Sequence, residues 1–197
     1  MKYQQKIKFL LSLVSILVST ISIAQDESQT DRSKLAIKAG YFGEFVMHPG
    51  FYSGIDYNLL DKSWLDLHWD TDLGAYFHKW NNNSVFVQSS FGARFCTSFS
   101  MYTDLQIGIG YMLSTPSGEL YQVDKDGNLT EKGKPVTSHA KPTVSLLFGW
   151  DGNRKKDIPL TIGFGLEAYW QMGYNHIALP HAALKAGITY QLKTKKS

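Results

Sequence analysis

Hydrophobic and polar residues alternate over long stretches of this chain, and the longest such stretch runs from Ile158 to Met172. In its middle, Phe164 and Leu166 alternate with Gly165 and Glu167. Alternation with a period of two predicts a β-strand whose two faces meet different environments. A soluble strand usually has about 5 to 6 residues, whereas a tilted strand needs about 9 to 11 to cross a bilayer. This stretch is long enough to cross.

The same alternation recurs along the chain and predicts eight antiparallel strands. The predicted strands cover residues 34–47, 51–60, 64–78, 85–96, 99–113, 140–150, 158–172 and 182–193. Single-chain bacterial membrane barrels have an even number of strands. The sequence therefore predicts an all-β fold, an eight-stranded antiparallel up-and-down transmembrane β-barrel.

The segments between the strands predict how the barrel is connected. With both termini in the periplasm, the connections after strands two, four and six should be short, and those after strands three, five and seven longer. A tight turn is expected at residues 48–50, and loops at residues 80–84 and 173–181. The longest connection runs from Ser114 to His139, and its Asp-Gly-Asn sequence at residues 126–128 predicts a small hairpin. The acidic residues around this turn do not form a calcium-binding loop, because the glycine is not at the position that such a loop requires.

The polar face of the third strand shows which side of the barrel faces lipid. It carries Asp66, His68, Asp70 and Asp72. A charge at mid-bilayer on the lipid side costs about 2 to 4 kcal/mol for Arg or Lys and less for Asp or Glu, so this face should point into the lumen. The alternative is a water-soluble calyx of the lipocalin type with its apolar face inward. An eight-stranded interior is too narrow for the large apolar side chains of all eight strands, which favours the membrane barrel.

Charged residues on the inward face are expected to form a polar network that fills the lumen. The predicted network comprises Lys38, Glu44, Asp56, Asp66, His68, Asp70, Asp72, Arg94, Asp104, Glu167 and Lys185. Buried charges persist when they are paired or hydrogen-bonded. Because acids outnumber bases in this set, a weak cation or proton path is kept as an alternative.

Aromatic residues near the strand ends predict two interfacial girdles. Trp150 and Tyr190 should lie near the periplasmic face, and Phe77, Tyr111 and Trp170 near the outer face. These residues would anchor the barrel at the two edges of the bilayer.

The N-terminus predicts export. Three lysines at residues 2, 6 and 8 precede an uncharged run that ends in Ser22-Ile23-Ala24, which is typical of a cleaved secretory signal. The predicted organisation is a signal peptide at 1–24, a flexible periplasmic lead-in at 25–33, the outer-membrane barrel at 34–193 and a basic C-terminal tail at 194–197.

Charge and cysteine content narrow the possible functions. Three of the 20 lysines and arginines lie in the signal, so 17 basic residues balance 17 acidic ones in the remainder. Nothing in this balance indicates binding of nucleic acid. Cys96 is the only cysteine, which excludes an intramolecular disulfide.

Beyond its alternation, the chain resembles small eight-stranded outer-membrane β-barrel proteins, typified by the OmpA transmembrane domain and OmpX. The stretches GEFVMHPGFYSGIDYNLL at 43–60 and GITYQL at 187–192 are similar to an uncharacterised outer membrane protein β-barrel family. The resemblance implies the cell outer membrane as location, and outer-membrane lipids and the barrel assembly machinery as partners. It implies no cofactor and no activity.

Two functional hypotheses follow. The first is a structural or surface-interaction protein that contacts an extracellular partner through the connection from Ser114 to His139. The alternative is an outer-leaflet lipid-modifying enzyme resembling the lipid A deacylase family. That family uses a His-x-Ser element together with a Glu. The matching His-Ile-Ala at 176–178 lacks the serine nucleophile. The catalytic candidates for this alternative are His48, His176, His181, Glu44 and Glu167. Because no metal-ligand spacing motif is present, no metal site is predicted.

Overall fold

The computed structural model describes residues 34–79, 82–123, 128–154, 158–174 and 177–192. The strands are β1 (Leu35–Glu44), β2 (Gly50–Asp61), β3 (Leu65–Phe77), β4 (Asn82–Cys96), β5 (Met101–Pro116), β6 (Leu120–Val123), β7 (Leu129–Lys132), β8 (Thr137–Asp151), β9 (Leu160–Tyr174) and β10 (Ile177–Gln191), with a short 3-10 helix at Gly152–Arg154. Within these ranges, no helix is long and apolar enough to cross a membrane. The predicted signal peptide, lead-in and basic tail, and also His176, lie outside the described residues.

Eight of the strands form a closed barrel in the order β1-β10-β9-β8-β5-β4-β3-β2, and every pairing in it is antiparallel. The ring closes where β1 pairs with β10, for example at Gly40 and Gly187. The other two strands, β6 and β7, pair only with each other and form a hairpin between β5 and β8. The predicted eight-stranded antiparallel up-and-down barrel is confirmed.

The outer surface of the barrel is apolar and its interior is largely polar. Ile107, Ile109 and Phe164 project outward and are 61%, 65% and 59% exposed, whereas the inward Asp70 and Asp72 are buried. This orientation excludes the water-soluble calyx, whose apolar face would point inward. A continuous apolar belt of this kind needs lipid around it, because water would drive its aggregation.

We call the end of the barrel that carries Leu35 and Gln191 the termini end, and the opposite end the hairpin end. The expectation that strand one reaches residue 47 and turns at 48–50 is wrong. β1 ends at Glu44, and β2 already begins at Gly50. Phe45 and Val46 have φ angles of 44° and 68°, so the chain reverses there and Glu44 bridges His48. The apolar sequence of this turn resembles a strand, and its left-handed backbone is not visible in the alternation.

Several other strands extend further toward the hairpin end than predicted. β4 begins at Asn82, β5 reaches Pro116, β8 begins at Thr137 and β10 begins at Ile177. The expected loops at 80–84 and 173–181 are therefore mostly strand. Outside the apolar belt, two strands can stay hydrogen-bonded to each other with polar residues on both faces. Alternation of apolar and polar residues then no longer identifies the strand.

The connection lengths also differ from the prediction. At the hairpin end the connections cover residues 45–49, 78–81, 117–136 and 175–176, and at the termini end residues 62–64, 97–100 and 152–159. Only 117–136 is long, so the prediction of longer connections after the third and seventh predicted strands is wrong. The connection after the first strand is short, as the expected tight turn implies. The β6–β7 hairpin itself lies where a small hairpin was predicted.

Two inward glycines make room for large side chains. A Cβ atom at Gly92 would lie 1.8 Å from the His68 ring, and one at Gly163 would lie 2.3 Å from the Tyr102 hydroxyl. A larger residue at either position would force the His68 or Tyr102 ring to move. These glycines are therefore needed for the packing of the interior.

The barrel orientation predicts a depth-dependent cost for charge on the lipid face. Ile107 lies near the middle of β5 and Met101 lies at its end, both pointing outward with 61% and 51% exposure. Ile107→Arg should lower the free energy of unfolding by about 2 to 4 kcal/mol, and Met101→Arg by about 0 to 1 kcal/mol. Denaturant titration of the protein in phospholipid vesicles measures both. Equal losses would contradict the position of the apolar belt.

Candidate functional site: the barrel interior and the hairpin end

Lysine and carboxylate side chains from opposite walls meet in the middle of the lumen. The Lys38 ammonium lies 2.9 Å from carboxylate oxygens of both Asp70 and Asp72. The Lys185 ammonium lies 3.1 Å from Asp72 and 3.3 Å from Glu167. These pairs link β1, β3, β9 and β10 across the barrel, so each of these charges lies beside an opposite charge.

A second group of charges lies closer to the termini end. His68 Nδ1 is 3.2 Å from Asp56 Oδ2, and its Nε2 is 3.1 Å from Asp104 Oδ1. A neutral imidazole has only one N–H, so two carboxylate partners favour the doubly protonated ring. Arg94 Nη2 lies 3.1 Å from Asp104 and 3.6 Å from Asp56. His68 and Arg94 thus hold these two carboxylates between them.

Lys141 is a central residue of the interior that the sequence analysis missed. Its side chain is fully buried, and its ammonium lies 2.5 Å from Glu167 Oε1 and 2.5 Å from Gln88 Oε1. The same ammonium lies 4.4 Å from the ring centres of Phe86 and Tyr169. The alternation of β8 carries the signal that could have found it, because Lys141 falls on the face opposite the outward residues of that strand.

Arg154 closes the termini end and was also missed. It lies in the turn after β8, and its Nη2 is 2.5 Å from Asp66 Oδ1 while its Nε is 3.4 Å from Asp151 Oδ2. Partial burial alone would lower the pKa of this guanidinium, but the hydrogen bond and charge of Asp66 outweigh that effect and raise the pKa. Arg154 therefore stays charged and ties the turn to β3.

An aromatic layer separates the ionic network from the hairpin end. We call it the aromatic layer; it consists of Phe42, Tyr52, Tyr76, Phe86, Met112, Tyr169 and Ala183. The rings of Phe42 and Phe86 are 4.9 Å apart, and those of Phe42 and Tyr169 are 6.2 Å apart. A purely polar lumen was expected, and this layer corrects that expectation. The residues of the aromatic layer fall on the same inward positions as the charged residues. The alternation alone therefore does not show which inward residues form a polar network and which form an aromatic layer.

Two small cavities of about 20 and 30 Å³ lie among the charged residues of the described interior. A water molecule needs at least about 10 to 15 Å³, so each cavity can hold one or two waters. Around these charged residues the side chains leave room for water and not for a larger ligand.

Four residues form a cluster at the hairpin end, and we call them the rim cluster: Glu44, His48, His78 and His181. Glu44 is buried, and its Oε1 accepts a hydrogen bond from His181 Nδ1 at 2.8 Å. Among the described residues, neither its other oxygen, Oε2, nor His181 Nε2 has a hydrogen-bond partner. The rings of His48 and His78 stack with their centres 3.4 Å apart. Ligand atoms of Glu44, His48 and His78 all lie within 4.8 Å of one another.

The backbone fixes the positions of the rim cluster. The N–H of Glu44 donates to the carbonyl of His48 and the N–H of His48 to that of Glu44, both at 3.0 Å. The N–H of Phe77, which precedes His78, donates to the carbonyl of Pro49 at 3.0 Å. The β1–β2 turn and the β3–β4 connection are thereby held side by side.

The other predicted site residues are found as follows. All members of the predicted polar network point into the barrel; Glu167 lies among the lysines of the ionic network, while Glu44 lies at the rim. Ala178 stands where the lipid A deacylase family has its serine. It is exposed, and its methyl side chain cannot act as a nucleophile. The outward aromatic residues lie toward the expected ends, Trp150 and Tyr190 at the termini end and Phe77, Tyr111 and Trp170 toward the hairpin end. Catalytic roles and girdle function stay predictions.

Comparison with solved structures identifies the fold. The N-terminal β-barrel domain of Pseudomonas aeruginosa OprF is similar with a TM-score of 0.57 and 10% identity, covering 82% of this chain and 98% of that domain. Neisserial surface protein A (TM-score 0.49, 11% identity, 83% and 100% covered) and the outer membrane enzyme PagL (0.49, 14%, 80% and 99%) are more distant. At these identities the likeness shows the fold alone, and the last two carry no functional argument. No family model and no curated protein matches the sequence.

The interior pairs predict a large effect when one partner is removed. Glu167→Gln leaves the Lys141 ammonium buried without its carboxylate, and breaking a buried pair costs about 3 to 5 kcal/mol. The exposed Glu131→Gln on β7 is the control and should change stability by less than about 0.5 kcal/mol. Denaturant unfolding in vesicles measures both, and an unchanged midpoint for Glu167→Gln would contradict the assigned pairing.

Proposed function

We propose that this protein is an integral outer-membrane barrel that does not conduct and that presents its β6–β7 hairpin to an extracellular partner protein. The observation that supports this proposal is the combination of a filled interior with a single long connection at the hairpin end. Outer-membrane lipids surround the barrel in this proposal, and the barrel assembly machinery is its expected partner during biogenesis.

The filled interior argues against the alternative of a weak cation or proton path. Ion movement needs a continuous polar route, whereas the aromatic layer spans the lumen between the ionic network and the rim. Each lysine of the network is held by carboxylates at 2.5 to 3.3 Å. Lysines and carboxylates that pair with one another in this way compete with a passing ion inside the network.

The β6–β7 hairpin has the features of a contact surface. Tyr121, Val123 and Leu129 are 59%, 67% and 72% exposed. Val123 pairs with Leu129, and Tyr121 pairs with Glu131, so all four lie on one face of the hairpin. Exposed aromatic and aliphatic groups on a connection that a rigid barrel presents are typical anchors for a protein partner.

Glu119 adds a polar edge to this face. The Tyr121 hydroxyl donates a 2.5 Å hydrogen bond to Glu119, and this bond raises the pKa of Tyr121. The contact surface thus combines an apolar centre with an acidic margin.

The alternative of a lipid-modifying enzyme has weaker support. Glu167 is engaged by two lysines inside the barrel, and the element at 176–178 has alanine where the family it resembles has serine. A carboxylate that is neutralised in this way is a poor partner for a rim histidine. Altered lipid A in cells that express the wild-type protein, but not in cells that express His181→Ala, would favour this alternative.

The first prediction concerns conduction. Purified barrel inserted into planar lipid bilayers should give no discrete current steps above the baseline, because the aromatic layer leaves no continuous water path. The current should be compared with that of Phe86→Ala, which removes a ring of the aromatic layer that is 2% exposed. Regular current steps from the wild-type barrel would contradict the non-conducting scaffold.

The second prediction concerns the hairpin. Residues 118–135 can be deleted without disturbing the barrel, because Ser114 and Thr137 are paired and the remaining residues can close the turn between them. The deletion variant should keep heat-modifiable migration and its unfolding midpoint. Chemical cross-linking on intact cells, followed by mass spectrometry, should identify a partner protein linked to the wild type and not to the deletion variant.

A matched control separates the hairpin face from connection length. Replacement of residues 118–135 by a Gly/Ser segment of equal length should lose the same cross-links. Tyr121→Ser with Val123→Ser and Leu129→Ser should lose them while the hairpin backbone is retained. Cross-links that survive all three changes would refute the proposed contact surface.

A further inference from the structure

We propose that Glu44, His48 and His78 bind a divalent transition-metal ion, with Zn²⁺ as the probe, at the hairpin end of the barrel. This inference is independent of the β6–β7 hairpin. It rests on three ligand side chains that two neighbouring connections bring together. The bound ion would join the β1–β2 turn to the β3–β4 connection.

The first argument is the incomplete pairing of Glu44. This residue is 1% exposed, and only its Oε1 is hydrogen-bonded, to His181 at 2.8 Å. Its Oε2 is buried and has no hydrogen-bond partner in the part of the chain that the structure describes. A buried carboxylate oxygen without a partner carries a substantial desolvation cost. A cation at this oxygen would remove that cost.

The second argument is the type and spacing of the donors. Two imidazoles and one carboxylate form a ligand set that zinc and other first-row metals accept, and calcium, which prefers all-oxygen sites, does not. The donor atoms lie within 4.8 Å of one another. Ligands held at about 2.1 Å around a tetrahedral ion are roughly 3.4 Å apart, so the donor atoms need to approach one another by at most about 1.4 Å. His48 and His78 are only partly buried, and rotation of their side chains can supply this movement.

The third argument is the support around the ligands. His181 donates to Glu44 and stacks on Tyr169 with ring centres 4.8 Å apart and planes 5° apart. Such outer contacts hold a metal-bound carboxylate in position. His181 therefore acts as a positioning residue.

The fourth argument is access from outside. His48 lines an open groove together with Met47, Pro49, Phe77, Lys79, Asn83 and Ser117. An ion can reach the cluster through this groove without passing the aromatic layer. With three protein ligands, a fourth position on the groove side would be taken by water or by a small anionic ligand.

Calorimetric titration of the full-length, tag-free barrel with ZnCl₂ in detergent micelles tests the proposal. One ion per chain should bind. Glu44→Gln, His48→Ala and His78→Ala should each weaken binding by at least tenfold, and loss of the positioning residue in His181→Gln should weaken it by about 10- to 100-fold. Co²⁺ should give the visible absorption of a four-coordinate site, and this spectrum should disappear in the ligand variants.

Two controls keep the outcome decisive. The double variant His48→Phe, His78→Phe preserves ring packing while removing the ligand nitrogens, and it replaces any alanine variant that fails to fold. His139→Gln changes a histidine of β8 that lies outside the rim cluster, and it should bind zinc as the wild type does. Absence of saturable binding to the wild type, or unchanged affinity in the double phenylalanine variant, would overturn the proposal.

Discussion

The pairing of β1 with β10 is the interaction on which the rest of the structure depends. It runs from Ala36 opposite Gln191 to Glu44 opposite Ala183, and it removes the two edges that an open eight-stranded sheet would expose. In lipid an unpaired backbone group costs several kcal/mol, so the eight strands are stable in the membrane only as a closed ring. The same pairing fixes the rim, because the N–H of Phe45 donates to the carbonyl of Ala182 at 2.8 Å and brings Glu44 beside His181.

Closure of eight strands leaves a lumen that side chains must fill, and this barrel fills it in two ways. Near the termini end and in the middle, carboxylates and cations neutralise one another across the barrel. Toward the hairpin end, the aromatic layer replaces the charges. Lys141 lies where the two regions meet, since its ammonium contacts both Glu167 and the faces of Phe86 and Tyr169. A lysine is suited to this boundary because it can pair with a carboxylate on one side and with aromatic rings on the other.

The alternation in the sequence was sufficient to predict the strands of the barrel and their outward faces, because lipid on one side and a packed lumen on the other impose a strict period of two. It failed at the hairpin end, where Asn82 and Thr137 continue the ladder in a polar setting and where the left-handed backbone of Phe45 ends β1 early. The same period could have identified Lys141. The approach of His48 to His78 was not predictable from spacing, since it depends on how two neighbouring connections fold toward each other.

Buried polar atoms without a hydrogen bond occur both in the ionic network and at the hairpin end, and the charges beside them differ. Among the described residues they include Asp70 Oδ1, Asp72 Oδ1 and Arg154 Nε in the first region, and Glu44 Oε2, His181 Nε2, the Tyr169 hydroxyl and Gln171 Nε2 in the second. In the ionic network such an atom has an opposite charge beside it, since Asp72 Oδ1 lies 2.9 Å from the Lys38 ammonium. At the rim, Glu44 is paired through its other oxygen with the imidazole of His181. A buried carboxylate is costly unless a positive charge compensates it, so a cation from outside the chain would stabilise the barrel at the rim cluster, where no lysine or arginine of the described network reaches Glu44.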